Sequence, residues 1–182
     1  HNNPCGVAIG KTTFEAVDKA TKADPISVFG GIIAVNKTVE AAEAELLSKI
    51  FLECVVAPDF SAEALKIFAV KKNVRLLRWP QFQTQPSHFQ LRSVSGGFLL
   101  QTPDQVAQKF LSEWKVVGEK LTAAVQEDLL MAWKVCAHLK SNAIAIIANG
   151  QTVGLGMGQV NRVDSVAQAV ERAAKFHPDS TG

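Results

Sequence analysis

The stretch that decides the fold covers residues 140–165 and reads KSNAIAIIANGQTVGLGMGQVNRVDS. Alternating apolar residues lead into Asn149-Gly150, a dipeptide typical of tight β-hairpin turns, and the next apolar residues predict the returning strand. Asn142 lies at one end of this stretch, and Arg162 lies at the predicted entrance of a helix near the other end. The stretch therefore predicts a hairpin, a glycine-rich corner and a helix, with an amide and a guanidinium at their ends.

Segments with helical periodicity alternate with short apolar segments in the preceding sequence. Helices are predicted from Thr12 or Thr13, over 39–51, from Ser61 and over 122–140, the longest of them; strands are predicted over 32–35, 53–56, 74–77 and, interrupted by Gly96-Gly97, 91–100. Such alternation predicts an α/β protein with a largely parallel sheet covered by helices on both faces. The polar segment 79–88, with two prolines, predicts a boundary between a first α/β segment (1–88) and a second segment (89–182).

The composition is that of an ordinary globular chain, with 47% hydrophobic residues, 20% charged residues and a formal net charge of +2. No long basic block indicates nucleic acid, and no apolar run is long enough to span a bilayer. The three cysteines are widely and irregularly spaced, which favours a reducing compartment over a disulfide framework. We therefore expect a cytoplasmic protein without nucleic-acid or membrane partners. Because the first residue is His1, we also expect a fragment of a longer chain.

Two patterns suggest chemistry that the spacing does not favour. Gly154, Gly156 and Gly158 follow a hairpin rather than the first strand of a βαβ unit, so a tight corner or close backbone approach is favoured over dinucleotide binding. A substrate-lined corner that includes Gln159 and Arg162 is a third interpretation. Cys5 starts a deaminase-like zinc motif, but Ala8 stands where the second cysteine would be, so no metal site is expected.

Four motifs occur in the order in which one enzyme family has them. They are HNNPCG at 1–6, DPISVFGG at 24–31, APDF at 57–60 and the stretch at 140–165. Together they resemble the AICAR transformylase domain of bifunctional purine biosynthesis enzymes. The resemblance implies a cytidine-deaminase-like, three-layer α/β/α fold, with a mixed sheet and helices on both faces. It also implies that residues 1–182 are part of that domain, without its second repeat and without the cyclohydrolase domain.

The resemblance implies formyl transfer from 10-formyltetrahydrofolate to the 5-amino group of AICAR, a step of IMP synthesis. The folate is then a cosubstrate, and no tightly bound cofactor is expected. A structural monovalent cation near the helix before Asn142 is left open. The family forms a homodimer with active sites at the subunit interface. Because the catalytic lysine and the second repeat of the family lie outside this chain, we expect the fragment alone to be inactive.

His1 matches the general base of the family, since an imidazole can take a proton from the substrate amine near neutral pH. The lysine that the family has before this histidine lies outside the chain. Asn142 matches a residue that contacts the ribotide, although its spacing alone is equally typical of a cap or turn. Arg162 is poorly suited to the positive end of a helix, and this favours ligand binding.

Four further residues are expected to contact substrates through the same resemblance. Gly30 matches a position where the backbone approaches the ribotide, with a core bend as the alternative. Glu53 matches an acidic ribotide contact but is also typical of a surface carboxylate. Lys72 is a candidate contact for the ribotide phosphate, and stabilisation of a helix C-terminus by its charge is an equal alternative. Val163 matches a position beside the folate.

Two alternatives stay open on the sequence. One is a noncatalytic nucleotide-binding or assembly module of the same fold, which the missing lysine and second repeat favour. The other is a different cytidine-deaminase-like enzyme, against which the incomplete zinc motif argues.

Overall fold

A computed structural model describes residues 3–81, 89–106, 109–110 and 112–180. The helices in this part are α1 (Thr13–Ala23), α2 (Ala41–Ser48), α3 (Ala62–Ala69), α4 (Ala123–Cys136) and α5 (Arg162–Phe176). The strands are β1 (Gly31–Ala34), β2 (Leu52–Ala57), β3 (Arg75–Arg78), β4 (Gln90–Val94), β5 (Gly97–Gln101), β6 (Ile144–Ala148) and β7 (Gln151–Gly156). A short 3₁₀ turn, Pro178–Ser180, follows α5. The α/β class is confirmed.

Strands β1, β2 and β3 form a parallel sheet in that order. Val55 in the central strand pairs with Ile33 on one side and Leu76 on the other. These side chains pack into a core with residues of α1, α2 and α3, and Val55 is fully buried. On the opposite face, Ile32 and Leu77 are about half exposed. Within the described residues, helices therefore pack on one face of this sheet, whereas the sequence pattern predicted helices on both faces.

Strands β6 and β7 form an antiparallel hairpin that packs between helices α4, α5 and α1. Its turn is Asn149-Gly150, as predicted, and both residues have positive φ angles. The Asp128 carboxylate in α4 accepts hydrogen bonds from both backbone amides of this turn, at 2.9 and 2.7 Å. The hairpin is thus fixed at its closed end by a side chain of the neighbouring helix.

The segment before α1 adds to the free side of β7. Ala8 bridges Gln151, and Val7 donates its backbone N–H to the Thr152 hydroxyl at 3.0 Å. Helix α1 itself contacts both β7 and α2. This N-terminal segment and α1 therefore connect the hairpin with the parallel sheet.

Strands β4 and β5 form a second antiparallel hairpin, whose ten residues are all exposed. The sequence predicted one strand interrupted at Gly96-Gly97, and the structure has a turn there because Gly96 adopts a positive φ of 81°. The two hairpins and the parallel sheet are separate sheets in the described part of the chain.

The predicted starts of helices α1 and α3 are confirmed, whereas the predicted lengths of other helices differ from the structure. Thr12 and Ser61 accept the capping hydrogen bonds of α1 and α3 as predicted. Helix α2 is shorter than predicted, since a capping box at Glu40 delays its start and the chain turns at Lys49 to enter β2. The prediction that 122–140 is the longest helix is wrong: α4 has 14 residues and α5 has 15. No helix of the described part is both long and apolar enough to cross a membrane.

Candidate functional site

The open end of the β6–β7 hairpin is held together around Asn142. Its backbone N–H and its side-chain Nδ2 both donate to the Gln159 carbonyl oxygen, at 3.2 and 2.8 Å. Gly158 donates its backbone N–H to the Lys140 carbonyl oxygen at 3.0 Å, which extends the ladder past the strands. The Asn142 carbonyl oxygen accepts a hydrogen bond from the Ser165 hydroxyl at 2.8 Å. The peptide bond before Asn142 is cis.

Helix α5 starts beside this open end. The Asn161 side chain accepts the backbone N–H of Asp164 at 2.8 Å and so caps the helix. Arg162 is the first helical residue and is exposed, and no ion pair involves its guanidinium in the described part of the chain. Val163 follows with 77% of its surface exposed. The predicted site residues Asn142, Arg162 and Val163 are thus brought to one end of the hairpin.

Two glycines allow α5 to lie against the hairpin. A Cβ at Gly154 would overlap the carbonyl oxygen of Ala169, and one at Gly156 would overlap that of Ser165. Both helical residues are fully buried. The interpretation of these glycines as a close backbone approach is confirmed. The same contact sets the position of the first turn of α5 relative to Asn142.

A second group of predicted site residues lies at the amino edge of the parallel sheet. Gly30 precedes β1, has a φ of 70° and donates its N–H to the Phe51 carbonyl oxygen at 2.8 Å. Glu53, near the start of β2, accepts a hydrogen bond from the Arg75 guanidinium at 3.0 Å, and the two side chains are 45% and 75% exposed, respectively. Lys72 lies in the exposed turn before β3. These three residues share an edge because parallel strands start on the same side.

Within the described residues, no hydrogen bond or ion pair joins the group that contains Asn142, Arg162 and Val163 to the group at the edge of the parallel sheet. A cavity of about 210 Å³ lies beside α1, α5 and β7, and its lining includes Cys5, Asp24, Thr152 and Arg172. Asp24 ends α1, and its carboxylate receives the Arg172 guanidinium of α5 at 2.6 Å. This ion pair, which the sequence patterns did not indicate, ties α5 to the end of α1.

Two cysteine thiols lie in environments that disfavour the thiolate. Burial, and then the negative charge of Asp24, raise the pKa of Cys5 above its ordinary value. Burial also raises the pKa of Cys136. Neither thiol is therefore activated as a nucleophile at neutral pH. Among the described residues, no group of three or more His, Cys, Asp or Glu side chains is placed so that it could bind a metal ion.

His1, the predicted general base, lies outside the described residues. Two contributors to the site were not identified as such from the sequence. One of three interpretations of the glycine-rich corner gave Gln159 a role towards the ligand, but none of them indicated that the Gln159 carbonyl oxygen holds Asn142. Ser165 was not singled out at all. The spacing of Ser165, Ala169 and Ala173 as small residues on one helix face was the signal that could have found it.

The sequence of this chain matches a family model described as the AICARFT/IMPCHase bienzyme over residues 1–172. The chain belongs to this bienzyme family. The family resemblance seen in the four motifs is thereby confirmed. The match covers the parallel sheet, both hairpins and α5 as far as residue 172.

Three bacterial members of the family are about half identical to the chain, and each is named Bifunctional purine biosynthesis protein PurH. The Aquifex aeolicus protein is 48% identical over 182 residues, which is 100% of the chain and 35% of the relative. The Microcystis aeruginosa protein is 51% identical over 176 residues, 96% of the chain and 34% of the relative. The Caldicellulosiruptor saccharolyticus protein is 46% identical over 175 residues, with 95% and 34% covered. The chain thus spans about a third of these relatives.

Proposed function

We propose that this chain carries part of the site at which a purine biosynthesis enzyme transfers a formyl group from 10-formyltetrahydrofolate to the 5-amino group of AICAR. The observation that carries the proposal is the proximity of Asn142 and Arg162 at the open end of the hairpin. Membership of the bienzyme family and the names of its relatives support the reaction class.

The roles follow from the chemistry of each group. AICAR is a ribotide, which carries a phosphate, a carboxamide and an aromatic amine. A guanidinium at the start of a helix adds a positive charge to the positive end of the helix dipole, so an anionic ligand is stabilised there. The Asn142 amide keeps its oxygen and one N–H after bonding Gln159, and these suit a carboxamide or a formyl oxygen. Val163 offers an exposed apolar surface next to Arg162 for the folate.

The amino edge of the parallel sheet supplies the second part of the proposed ribotide site. The positive φ of Gly30 is a conformation that a side chain would strain, and the missing Cβ lets a ligand approach the backbone. Lys72 would pair with the phosphate as a point charge. Glu53 would have to exchange its bond with Arg75 for a ligand hydroxyl. Because this ion pair is exposed to solvent, breaking it costs little free energy.

His1 completes the proposed chemistry as the general base, which takes a proton from the amine as the nitrogen attacks the formyl carbon. We further propose a homodimeric, cytoplasmic parent enzyme with no tightly bound cofactor. An unidentified monovalent cation near α4 is compatible with this proposal but takes no part in the transfer.

Calorimetric titration of the chain with AICAR tests the proposal. We expect saturable binding, and we expect Arg162→Gln to weaken it by about tenfold or more, as loss of a charge-assisted hydrogen bond does. The matched control is Arg92→Gln, because Arg92 is also an exposed arginine but lies on β4. Equal affinities of both variants would contradict the assignment of Arg162.

A second measurement separates binding from chemistry. Formation of formyl-AICAR is followed with 10-formyltetrahydrofolate as donor, for the chain and for His1→Ala. Because we expect the chain alone to be inactive, the assay is run with a longer chain that includes the rest of the transformylase domain. Binding without turnover by that longer chain would favour the alternative of a noncatalytic nucleotide-binding module. Turnover that His1→Ala leaves unchanged would overturn the role of His1 as the base.

A further inference from the structure

We propose that Ser165 is a positioning residue, whose hydroxyl holds Asn142 in the orientation that receives the ribotide. This inference rests on the proposed function, because it names the residue through which the Asn142 amide is fixed. Ser165 itself is fully buried and presents no atom to a ligand.

The first argument is a comparison along one face of α5. Ser165, Ala169 and Ala173 follow each other at intervals of four residues, and all three are fully buried. Ser165 and Ala169 oppose Gly156 and Gly154 through their backbone carbonyl groups. Close packing on the hairpin is therefore achieved with alanine at two of the three positions. The Ser165 Oγ also packs against Gly156, but this packing does not require a hydroxyl, and a buried hydroxyl without a partner is destabilising.

The second argument is what the hydroxyl contacts. It donates to the backbone carbonyl oxygen of Asn142 at 2.8 Å. Ser165 is the only one of the three small residues that lies next to the open end of the hairpin, since Ala169 and Ala173 lie one and two turns further along α5. The polar member of the series thus lies where a predicted ligand-binding residue must be held.

The third argument concerns the orientation of the Asn142 amide. Its Nδ2 donates to the Gln159 carbonyl oxygen at 2.8 Å, and the backbone N–H donates to the same oxygen. A flipped amide would put Oδ1 against that carbonyl oxygen, and two acceptors repel each other. Ser165 holds the backbone of Asn142 from one side and Gln159 holds its N–H groups from the other. The amide oxygen is thereby directed away from Gln159.

Loss of the Ser165 hydroxyl should release this arrangement without disturbing the helix. Ser165→Ala makes the face uniform with Ala169 and Ala173, so α5 keeps its packing on the hairpin. The Asn142 carbonyl oxygen then lacks its donor, and the side-chain amide becomes more mobile. We expect AICAR to bind about three- to tenfold more weakly, as the loss of one hydrogen bond implies.

The experiment is a double-mutant cycle on AICAR affinity with Ser165→Ala, Asn142→Ala and both together. If Ser165 acts through Asn142, its substitution weakens binding in the wild type but has no further effect when Asn142 is alanine. Ser61→Ala is the matched control, because it also removes a serine hydroxyl with one hydrogen bond, in the cap of α3. An equal loss from Ser165→Ala in both backgrounds, or a loss no larger than that of Ser61→Ala, would overturn the proposal.

A ligand-independent readout separates this inference from the proposed function. The side-chain amide signals of Asn142, identified by their loss in Asn142→Ala, report hydrogen exchange with water by NMR. We expect exchange at least severalfold faster in Ser165→Ala and unchanged in Ser61→Ala. Unchanged exchange in Ser165→Ala refutes positioning, whatever AICAR does. Faster exchange in a chain that fails to bind AICAR refutes the proposed function and leaves the positioning of Asn142 standing.

Discussion

The two hairpins of this chain differ in burial far more than in sequence. Both are antiparallel, both have a glycine in the turn and both carry apolar residues along their strands. Val153 in β7 is 3% exposed, because α1 and α5 pack on that strand. Phe98 in β5 is 69% exposed. An apolar strand sequence therefore does not by itself determine burial, and the neighbouring helices decide it.

Glycine shows the same difference at the level of single atoms. Carbonyl oxygens of α5 occupy the space that a Cβ would take at Gly154 and Gly156. At Gly97 in β5, no atom lies within 4 Å of such a Cβ. The glycines of β7 permit a helix to approach, whereas Gly97 has no neighbour to accommodate.

The largest expected difference between the hairpins is therefore the response to an added methyl group. We expect Gly156→Ala to lower the free energy of unfolding by about 3 kcal/mol, since a backbone-against-backbone overlap cannot be relieved by a side-chain rotation. Gly97→Ala should change it by less than about 0.5 kcal/mol. Urea unfolding of both variants measures this, and similar values for the two would contradict the close approach of α5.

A buried hydroxyl gives the next largest difference. Val153→Thr keeps the shape of the side chain but buries a polar atom, and we expect it to cost about 2 kcal/mol. Val94→Thr in β4 is the matched substitution at a residue that is 43% exposed, and we expect little change. Thermal unfolding of the pair is the measurement. A cost at Val94 as large as at Val153 would mean that β4 is covered in solution.

The turn of the β6–β7 hairpin should be less stable without the Asp128 carboxylate, which anchors it to α4. Asp128→Ala removes the carboxylate that accepts the amides of Asn149 and Gly150, and we expect a cost of about 1 kcal/mol. Glu127→Ala is the control, because the neighbouring glutamate is exposed. Faster amide hydrogen exchange at Gly150 in Asp128→Ala alone would support the anchor, and equal exchange in both variants would argue against it.

The smallest expected effect concerns the surface of α1, the helix that covers the packed hairpin. The hydrogen bond from Lys19, followed by that from the Lys11 amide, lowers the pKa of Glu15 in the folded chain. A lowered folded pKa stabilises the fold above the ordinary glutamate pKa, and this contribution is lost as the pH falls through the folded value. Glu15→Gln should thus lower Tm slightly at neutral pH, and the difference should shrink as the pH falls below the ordinary glutamate pKa. A difference that grows on acidification would refute this.

Local features of the fold were predictable from the sequence, because each depends on residues close together in the chain. The caps at Thr12 and Ser61, the Asn149-Gly150 turn and the three parallel strands follow from propensity and spacing. The exposure of Trp133 was not predictable. Its ring lies 5.5 Å from that of Trp114, and it is Met131 and Val135 of α4 that are buried. Periodicity shows which residues share a face but not which partner that face meets.

The candidate site was predictable only in part, for the same physical reason. Motifs indicated Asn142 and Arg162, and the structure brings them to one end of the hairpin. The bonds that hold the site connect residues far apart: Ser165 with Asn142 across 23 positions and Arg172 with Asp24 across 148. Such pairs leave no periodic signal in one sequence. Glu53 was indicated as a ligand contact, and its bond with Arg75 is equally typical of a surface pair.

The pairing of residues 7–9 with β7 has a consequence for the order in which the chain folds. The Val7 amide and the Thr152 hydroxyl are separated by 145 positions, so a very long loop must close before this contact forms. The parallel sheet, by contrast, closes within residues 31–78. During synthesis on the ribosome, β1 to β3 can therefore form while residues 7–9 stay unpaired until the hairpin has emerged. Chaperone binding during synthesis is then expected at residues 7–9 rather than at the sheet.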